Sequence, residues 1–266
     1  MSNIIELRPK TKRPYGPDAS IGVIIQARMT SERFPGKVLA MLDGKPVIQH
    51  VIERCKAIRA PKKVIKPIIV VVAVPDTPES EPLLNVVTDE LGVANYCGPE
   101  NNVLERYYGA ASFFKFDVIM RITADCPILD PNIASEVLQL LIWRKVDYTS
   151  NCHEQRTFPK GLDCEAFTFE CLEATYHTVM TNYKHSTDKE DIKQALYDME
   201  HVTPLMYRHP EIKKALVKCL AGNFSHKNWC VDYPKDIPKL QKLLDDTRNA
   251  IRKHGVILPM VSCGND

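Results

Sequence analysis

The chain has no cysteine pair at C-x-x-C spacing, no G-x-x-x-x-G-K-[ST] loop and no G-x-G-x-x-G loop. It also has no apolar run longer than Ile68–Val74 and no hydrophobic signal-peptide core at its N-terminus. Each absence closes a class. A zinc ribbon or thioredoxin-like motif is excluded. So are Walker-type and dinucleotide-binding phosphate loops. A membrane-spanning helix needs about 20 apolar residues, far more than the longest run here. A basic excess is missing too: 35 Lys and Arg stand against 33 Asp and Glu, a formal charge of +2. A nucleic-acid surface normally shows a marked excess, so affinity for anions has to come from a local cluster. Nine cysteines is an odd number. Scattered thiols such as Cys55, Cys97, Cys126, Cys164 and Cys219 read as small buried residues in a reducing compartment, and a cytoplasmic location is expected.

What is present is an alternation of short buried strands and amphipathic helices. Residues 1–19 carry prolines and basic residues without periodicity and are expected to form a flexible leader. Residues 20–266 are expected to form one domain. The apolar run 21–27 reads as a buried parallel strand. It is followed by a polar loop with a Pro35-Gly36 turn, and by a helix over 45–58 with Val47, Ile48, Val51, Ile52 and Cys55 on one face. Strands are expected at 66–74, 93–97 and 117–122, and helices at 79–91, 101–115 and 131–144, the last with Pro131 at its first position. Such spacing implies βαβ units and a mainly parallel sheet. Beyond Asp147 the rhythm breaks. Short strands at 148–152, 164–167, 215–219 and 229–231 alternate with helices near 169–180, 188–199 and 235–253, which suggests a mixed extension of the sheet.

Open parallel sheets bind ligands at the carboxyl ends of their strands, so the loop after the first strand comes first. It holds Arg28, Arg33 and Lys37 within ten residues, beside a turn able to expose backbone N–H groups. A nucleoside triphosphate carries about four negative charges and suits such a loop. A solvated basic surface loop fits the composition equally well.

The exact string separates the two. R-M-T-S-E-R-F-P-G-K at 28–37, led in by Gln26 and Ala27, resembles the A-R-x-x-S-x-R-x-P-G-K-x-L phosphate loop of the CMP-sugar synthetases. Ala27, Arg28, Ser31, Arg33, Pro35, Gly36, Lys37 and Leu39 all match. The chain is more closely similar still to the spore-coat polysaccharide branch of that cytidylyltransferase family, from Ile21 to about Asp245. The matching strings are G-K-P-V-I-Q-H-V-I-E-R (44–54), G-P-E-N-N-V-L-E-R-Y-Y-G-A-A (98–111) and R-I-T-A-D-C-P-I-L-D-P (121–131). D-Y-T-S-N (147–151), F-P-K-G-L-D-C-E-A-F (158–167), E-H-V-T-P (200–204) and V-D-Y-P-K-D (231–236) continue the series. The chain departs from the pattern after the second strand, where Val74-Pro75-Asp76 replaces a Thr-Ser and Asp-rich stretch. Pro99 and Asn102 stand where Ser and Asp are usual. These changes leave the phosphate loop untouched.

The resemblance implies an α/β, Rossmann-like nucleotide-diphospho-sugar transferase fold: a mainly parallel sheet flanked by helices, with a mixed C-terminal half. Residues 20–146 would form the nucleotide-binding half and 147–266 the acceptor-binding and dimerisation half. It implies CTP as donor, Mg²⁺ as cofactor, a homodimer, and no nucleic-acid or membrane partner. The reaction would be transfer of CMP to a sugar acid or related small acidic or polyhydroxylated acceptor, with release of pyrophosphate, in glycan or cell-surface polysaccharide biosynthesis. Arg28, Lys37 and Asp125 would be catalytic, the two cations holding the β- and γ-phosphates. Gln26, Ala27, Ser31, Arg33, Gly36, Asp76 and Arg106 would complete the nucleotide site. Asp125 and Asp232 would share one Mg²⁺, a cation that prefers few carboxylates plus phosphate oxygens and water. Asn151, Lys160, Asp163, Glu165, Glu200 and His201 would meet the acceptor.

Blander readings stand beside these. Asp125 before Pro127, and Asp232 before Pro234, also fit turn positions. A lone His201 fits a structural or capping role. Arg106 fits a surface ion pair, and Arg121 fits a partner for an internal carboxylate. Two other functions are open at this point. One is a glycosyltransferase of the same fold, which would normally show a D-x-D motif where this chain has Ala124-Asp125-Cys126. The other is a non-catalytic nucleotide-binding regulatory protein.

Overall fold

The computed structural model describes residues 13–153 and 155–254. Most of the expected leader therefore lies outside the described residues. In its described part, Arg13–Tyr15 forms a 3₁₀ turn, Pro14 is buried, and the Tyr15 hydroxyl donates to the Val146 carbonyl at 3.1 Å.

A seven-stranded sheet organises the molecule. In chain order its members are β1 (Ile21–Gln26), β4 (Ile69–Pro75), β5 (Ala94–Gly98), β6 (Val118–Thr123), β7 (Tyr148–Ser150), β8 (Glu165–Thr168) and β9 (Lys214–Leu216). Across the sheet they run β5-β4-β1-β6-β8-β7-β9. The first four are parallel. β8 is antiparallel to both β6 and β7, and β9 is parallel to β7. The two remaining strands, β2 (Met41–Leu42) and β3 (Lys45–Pro46), make a hairpin inside the first loop. Its turn, Asp43-Gly44, has positive φ at both residues (50° and 76°), the conformation that an Asp-Gly pair favours in a two-residue hairpin.

Alternation along the strands sends side chains to two faces. Val23, Ile25, Val72, Val74, Met120 and Ile122 face α1 (Val47–Lys56) and α4 (Pro131–Arg144). Ile24, Val71, Ala73 and Ile119 face α3 (Val103–Phe113), α5 (Phe169–His185) and α6 (Lys189–His201). The result is three layers, helix on sheet on helix. The helices start where the sequence provides caps: Asn102, Asp130, Thr168 and Asp188 each accept a backbone N–H from the first turn.

Several expectations are corrected. The helix over 79–91 is a 3₁₀ turn, then α2 (Glu81–Leu84), then a π-helical stretch Asn85–Glu90. There the β-branched Val86, Val87 and Thr88 crowd a regular turn. Residues 229–231 form no strand. They are held by Trp229 N–H to Lys160 O (2.8 Å) and Val231 N–H to Asp125 O (2.8 Å). The short helix α7 (Pro204–Arg208) was not expected. Cys55, Cys126, Cys164 and Cys219 are buried, but Cys97 is exposed. The last long helix is α8 (Asp236–His254). Among the described residues no helix is long and apolar enough to cross a membrane.

Candidate active site

From β1 the chain moves through β4 to β5 on one side of the sheet, then returns to place β6 on the other side of β1. The carboxyl ends of β1 and β6 therefore flank a topological switch point, where the loops diverge and leave a crevice. A cleft of about 400 Å³ lies there. It is lined by Gln26 and Ala27 at the end of β1, by Arg28, Ser31, Glu32, Arg33, Lys37 and Val38 of the following loop, by Thr123, Ala124 and Asp125 at the end of β6, and by Glu200.

The loop folds on its own backbone. Met29 O accepts from both Ser31 N–H (3.0 Å) and Gly36 N–H (2.9 Å). Gly36 sits at φ +70°, a left-handed conformation that glycine adopts without strain. That turn delivers Lys37 to the first position of a 3₁₀ turn, with only 9% of the residue exposed. Its ammonium donates to Asp125 Oδ2 at 2.6 Å and to Val231 O at 2.9 Å, and it lies 3.7 Å from Asp232 Oδ1. Asp232 also accepts from Arg33 Nη2 at 2.8 Å. Two carboxylates far apart in sequence thus meet at one cationic point. The segment carrying Asp232 is pinned by Asp236, whose Oδ2 accepts from the N–H groups of Asp232 (2.9 Å) and Tyr233 (2.8 Å). Burial raises the Asp125 carboxyl, but the charge and hydrogen bond of Lys37 outweigh it and hold the group below its ordinary value. Arg28 is exposed on the wall of the cleft.

The donor set suits a hard divalent cation: two carboxylates converge, with room for phosphate oxygens and water beside them. Another grouping, Cys152, His153 and Glu165, brings three ligand atoms within 4.8 Å of one another. It does not suit such a cation. The Arg121 guanidinium lies 2.6 Å from Glu165 Oε2, while Tyr148 and His153 each occupy Oε1 at 2.6 Å. Glu165 and Arg121 are opposed across β8 and β6, so Arg121 is the partner of an internal carboxylate. Burial raises the Glu165 carboxyl, but Arg121 and the bonds from His153 and Tyr148 take it well below the usual carboxylate range.

Gln26, Ala27, Arg28, Ser31, Arg33, Lys37, Asp125, Asp232 and Glu200 are thus brought to one region. Other expected site residues sit elsewhere or are engaged. Gly36 shapes the loop without lining the cleft. Asp76 is exposed at the end of β4, with its N–H on Gly98 O (2.7 Å). Arg106 is 1% exposed and donates to the carbonyls of Pro99 (3.1 Å) and Glu100 (3.0 Å), which braces the loop before α3. Among the described residues it forms no surface ion pair. Asn151 is buried, donating to Leu162 O (2.7 Å) and accepting from Cys164 N–H (2.9 Å). Asp163 is held by both guanidinium nitrogens of Arg156. Lys160 is exposed and bridges to Asn228 through its backbone. His201 is exposed and packs its ring against Tyr197. Thr123 and the Val231 carbonyl were not foreseen. Thr123 lies in the string 121–131, and a carbonyl leaves no mark in a sequence.

A mainly parallel sheet with a cationic loop at its switch point, and a lysine bridging two carboxylates there, has the architecture of a nucleotidyltransferase. The cytidylyltransferase family model matches residues 22–250, and the chain belongs to that family. It is 31% identical over 191 residues to an uncharacterised protein of Methanocaldococcus jannaschii, covering 72% of this chain and 68% of that one. It is 26% identical over 189 residues to the spore coat polysaccharide biosynthesis protein SpsF of Bacillus subtilis, covering 71% and 70%. In fold it is similar to a cytidylyltransferase of Leptospira borgpetersenii, with a TM-score of 0.71 and 23% identity over 93% of this chain and 100% of the other.

Proposed function

We propose that this cytidylyltransferase transfers CMP from CTP to a sugar acid or related small acidic acceptor, with Mg²⁺ and release of pyrophosphate, in the assembly of a cell-surface glycan. The observation that carries the reading is the meeting of Lys37, Asp125 and Asp232 at the switch-point cleft beside Arg28 and Arg33. The acceptor oxygen attacks the α-phosphorus in line, the bond from α-phosphorus to the bridging oxygen breaks, and pyrophosphate leaves with the electron pair. Lys37 and Arg28 neutralise the charge that grows on that leaving group. Arg33 anchors Asp232 rather than the substrate. Asp125 and Asp232 would hold Mg²⁺, which when bound polarises the phosphoryl oxygens and offsets their charge. Glu200 faces the same cleft from the end of α6 and is the acceptor-side residue best placed to meet a hydroxyl group.

The Bacillus subtilis relative is named for polysaccharide biosynthesis, which supports the glycan context. A cytoplasmic homodimer is expected with it, and light scattering at assay concentration tests that assembly. For the reaction, the chain is mixed with CTP, MgCl₂ and a panel of acidic sugars and phosphorylated polyols. Pyrophosphate and a CMP-linked product of matching mass are expected with at least one acceptor. Hydrolysis of CTP with no transfer to any of them would sink the acceptor reading.

A further inference from the structure

Cys126 and Cys230 are 104 residues apart in sequence, yet their sulfurs lie 3.9 Å apart. Their neighbours belong to the site. Cys126 follows Asp125, and its Sγ lies 3.6 Å from Asp125 Oδ1 and 3.2 Å from Thr123 Oγ1. Cys230 precedes Val231, which donates its N–H to Asp125 O (2.8 Å) and accepts from Lys37 Nζ (2.9 Å). Asp232 comes next. The two thiols thus join the two segments that carry both site carboxylates. They also differ in access: Cys126 is 1% exposed and Cys230 is half-buried.

We propose that Cys126 and Cys230 are an oxidisable pair, which a peroxide closes into a reversible disulfide that disables the adjoining nucleotide site. The more accessible Cys230 reacts first. Its sulfur takes one oxygen as the peroxide O–O bond breaks, giving a sulfenic acid and one water. Cys126 Sγ then attacks that sulfur. The S–S bond forms, the S–O bond breaks, and the hydroxide leaves with the thiol proton as a second water. The two thiols lose two electrons and two protons in all, and the peroxide is reduced to water. A disulfide bond is about 2.05 Å long, so the sulfurs must close roughly half of their present separation. Cys126 then gives up its contacts to Thr123 and Asp125. The 229–232 segment is drawn with it, moving the Val231 carbonyl and Asp232 away from Lys37.

The proposal rests on the cytidylyltransferase reading for its consequence but not for the bond, so the two are measured separately. The full chain is treated with hydrogen peroxide, its remaining thiols are blocked, and its peptides are weighed. CTP binding with Mg²⁺ is followed by calorimetry before and after. The exposed Cys97 reports that oxidant has reached the protein. A linked peptide pair containing Cys126 and Cys230 is expected. With it, CTP affinity should fall about tenfold or more, the scale of one lost charge-assisted contact, and dithiothreitol should restore it. Cys230→Ser, with Cys126→Ala as a second variant, should bind CTP equally before and after treatment. Oxidation of Cys97 with no Cys126–Cys230 linkage would overturn the pair. Linkage with unchanged CTP affinity would overturn the disabling role. Linkage with loss of CTP binding, in a chain that transfers CMP to no acceptor, would support the pair and count against the acceptor reading alone.

Discussion

Lys37 is the residue through which most of the site is connected. Its ammonium holds Asp125, Val231 O and Asp232 at once, so replacing it removes their shared cation and leaves two carboxylates facing one another. Lys37→Ala should lower kcat/KM by roughly 10²-fold or more. Circular dichroism must show an intact fold, and near-normal turnover would remove Lys37 from the mechanism. The same change should raise the Asp125 pKa, because burial would persist without the cation that now outweighs it. A pH titration of the Asp125 carboxyl carbon by NMR reads that shift directly. Asp125→Asn and Asp232→Asn should each depress turnover and weaken its dependence on Mg²⁺ while changing CTP binding much less, since much of the metal's contribution belongs to the transition state. A single variant with an unchanged Mg²⁺ titration would show that its carboxylate is not a ligand.

At the scale of elements, the segment 229–232 matters because no regular hydrogen-bonded ladder holds it. It leans on Gly161, which has φ +98° and whose missing Cβ would lie 2.6 Å from the Trp229 carbonyl carbon. Gly161→Ala should therefore destabilise the fold by about 2 kcal/mol and reduce turnover through displacement of Asp232. Urea denaturation and steady-state kinetics measure the two effects, and an unperturbed kcat would show that the segment is positioned from elsewhere. The β6–β8 pairing carries a second device. Arg121 and Glu165 form a buried pair opposed across the ladder. Glu165→Gln leaves a guanidinium without its counter-charge and should cost about 3–5 kcal/mol. The sign with pH follows from the lowered Glu165 pKa. The stabilisation is fully present above the unfolded carboxyl value of about 4.3. It is lost as pH falls below that value toward the lower folded one, because only the unfolded chain gains the proton. Wild-type stability should thus fall more steeply between pH 6 and 3 than that of Glu165→Gln. Parallel slopes would show that the pair contributes no such dependence.

For the whole molecule, the choice of nucleotide integrates every loop at the strand ends. CTP with Mg²⁺ should bind more tightly than UTP, ATP or GTP when compared by calorimetry. Equal or tighter binding of a purine nucleotide would count against cytidine recognition while leaving nucleotidyl transfer in place. Most of the parallel half of the sheet and its helices could be read directly, because buried apolar runs and the 3.6-residue period of a helix face are local. The loop after β1 was equally legible as a cleft-lining element, since its residues belong to a single continuous string. Other features were beyond the sequence. The engagement of Asn151 and Asp163 by internal partners, and the meeting of Asp125 with Asp232 and of Cys126 with Cys230, depend on how loops and segments pack together. Side-chain periodicity reports which face of an element is apolar, but it carries no information about which distant loop arrives at that face. Only the crossing of the chain from β5 back to β6 creates the crevice where these groups converge.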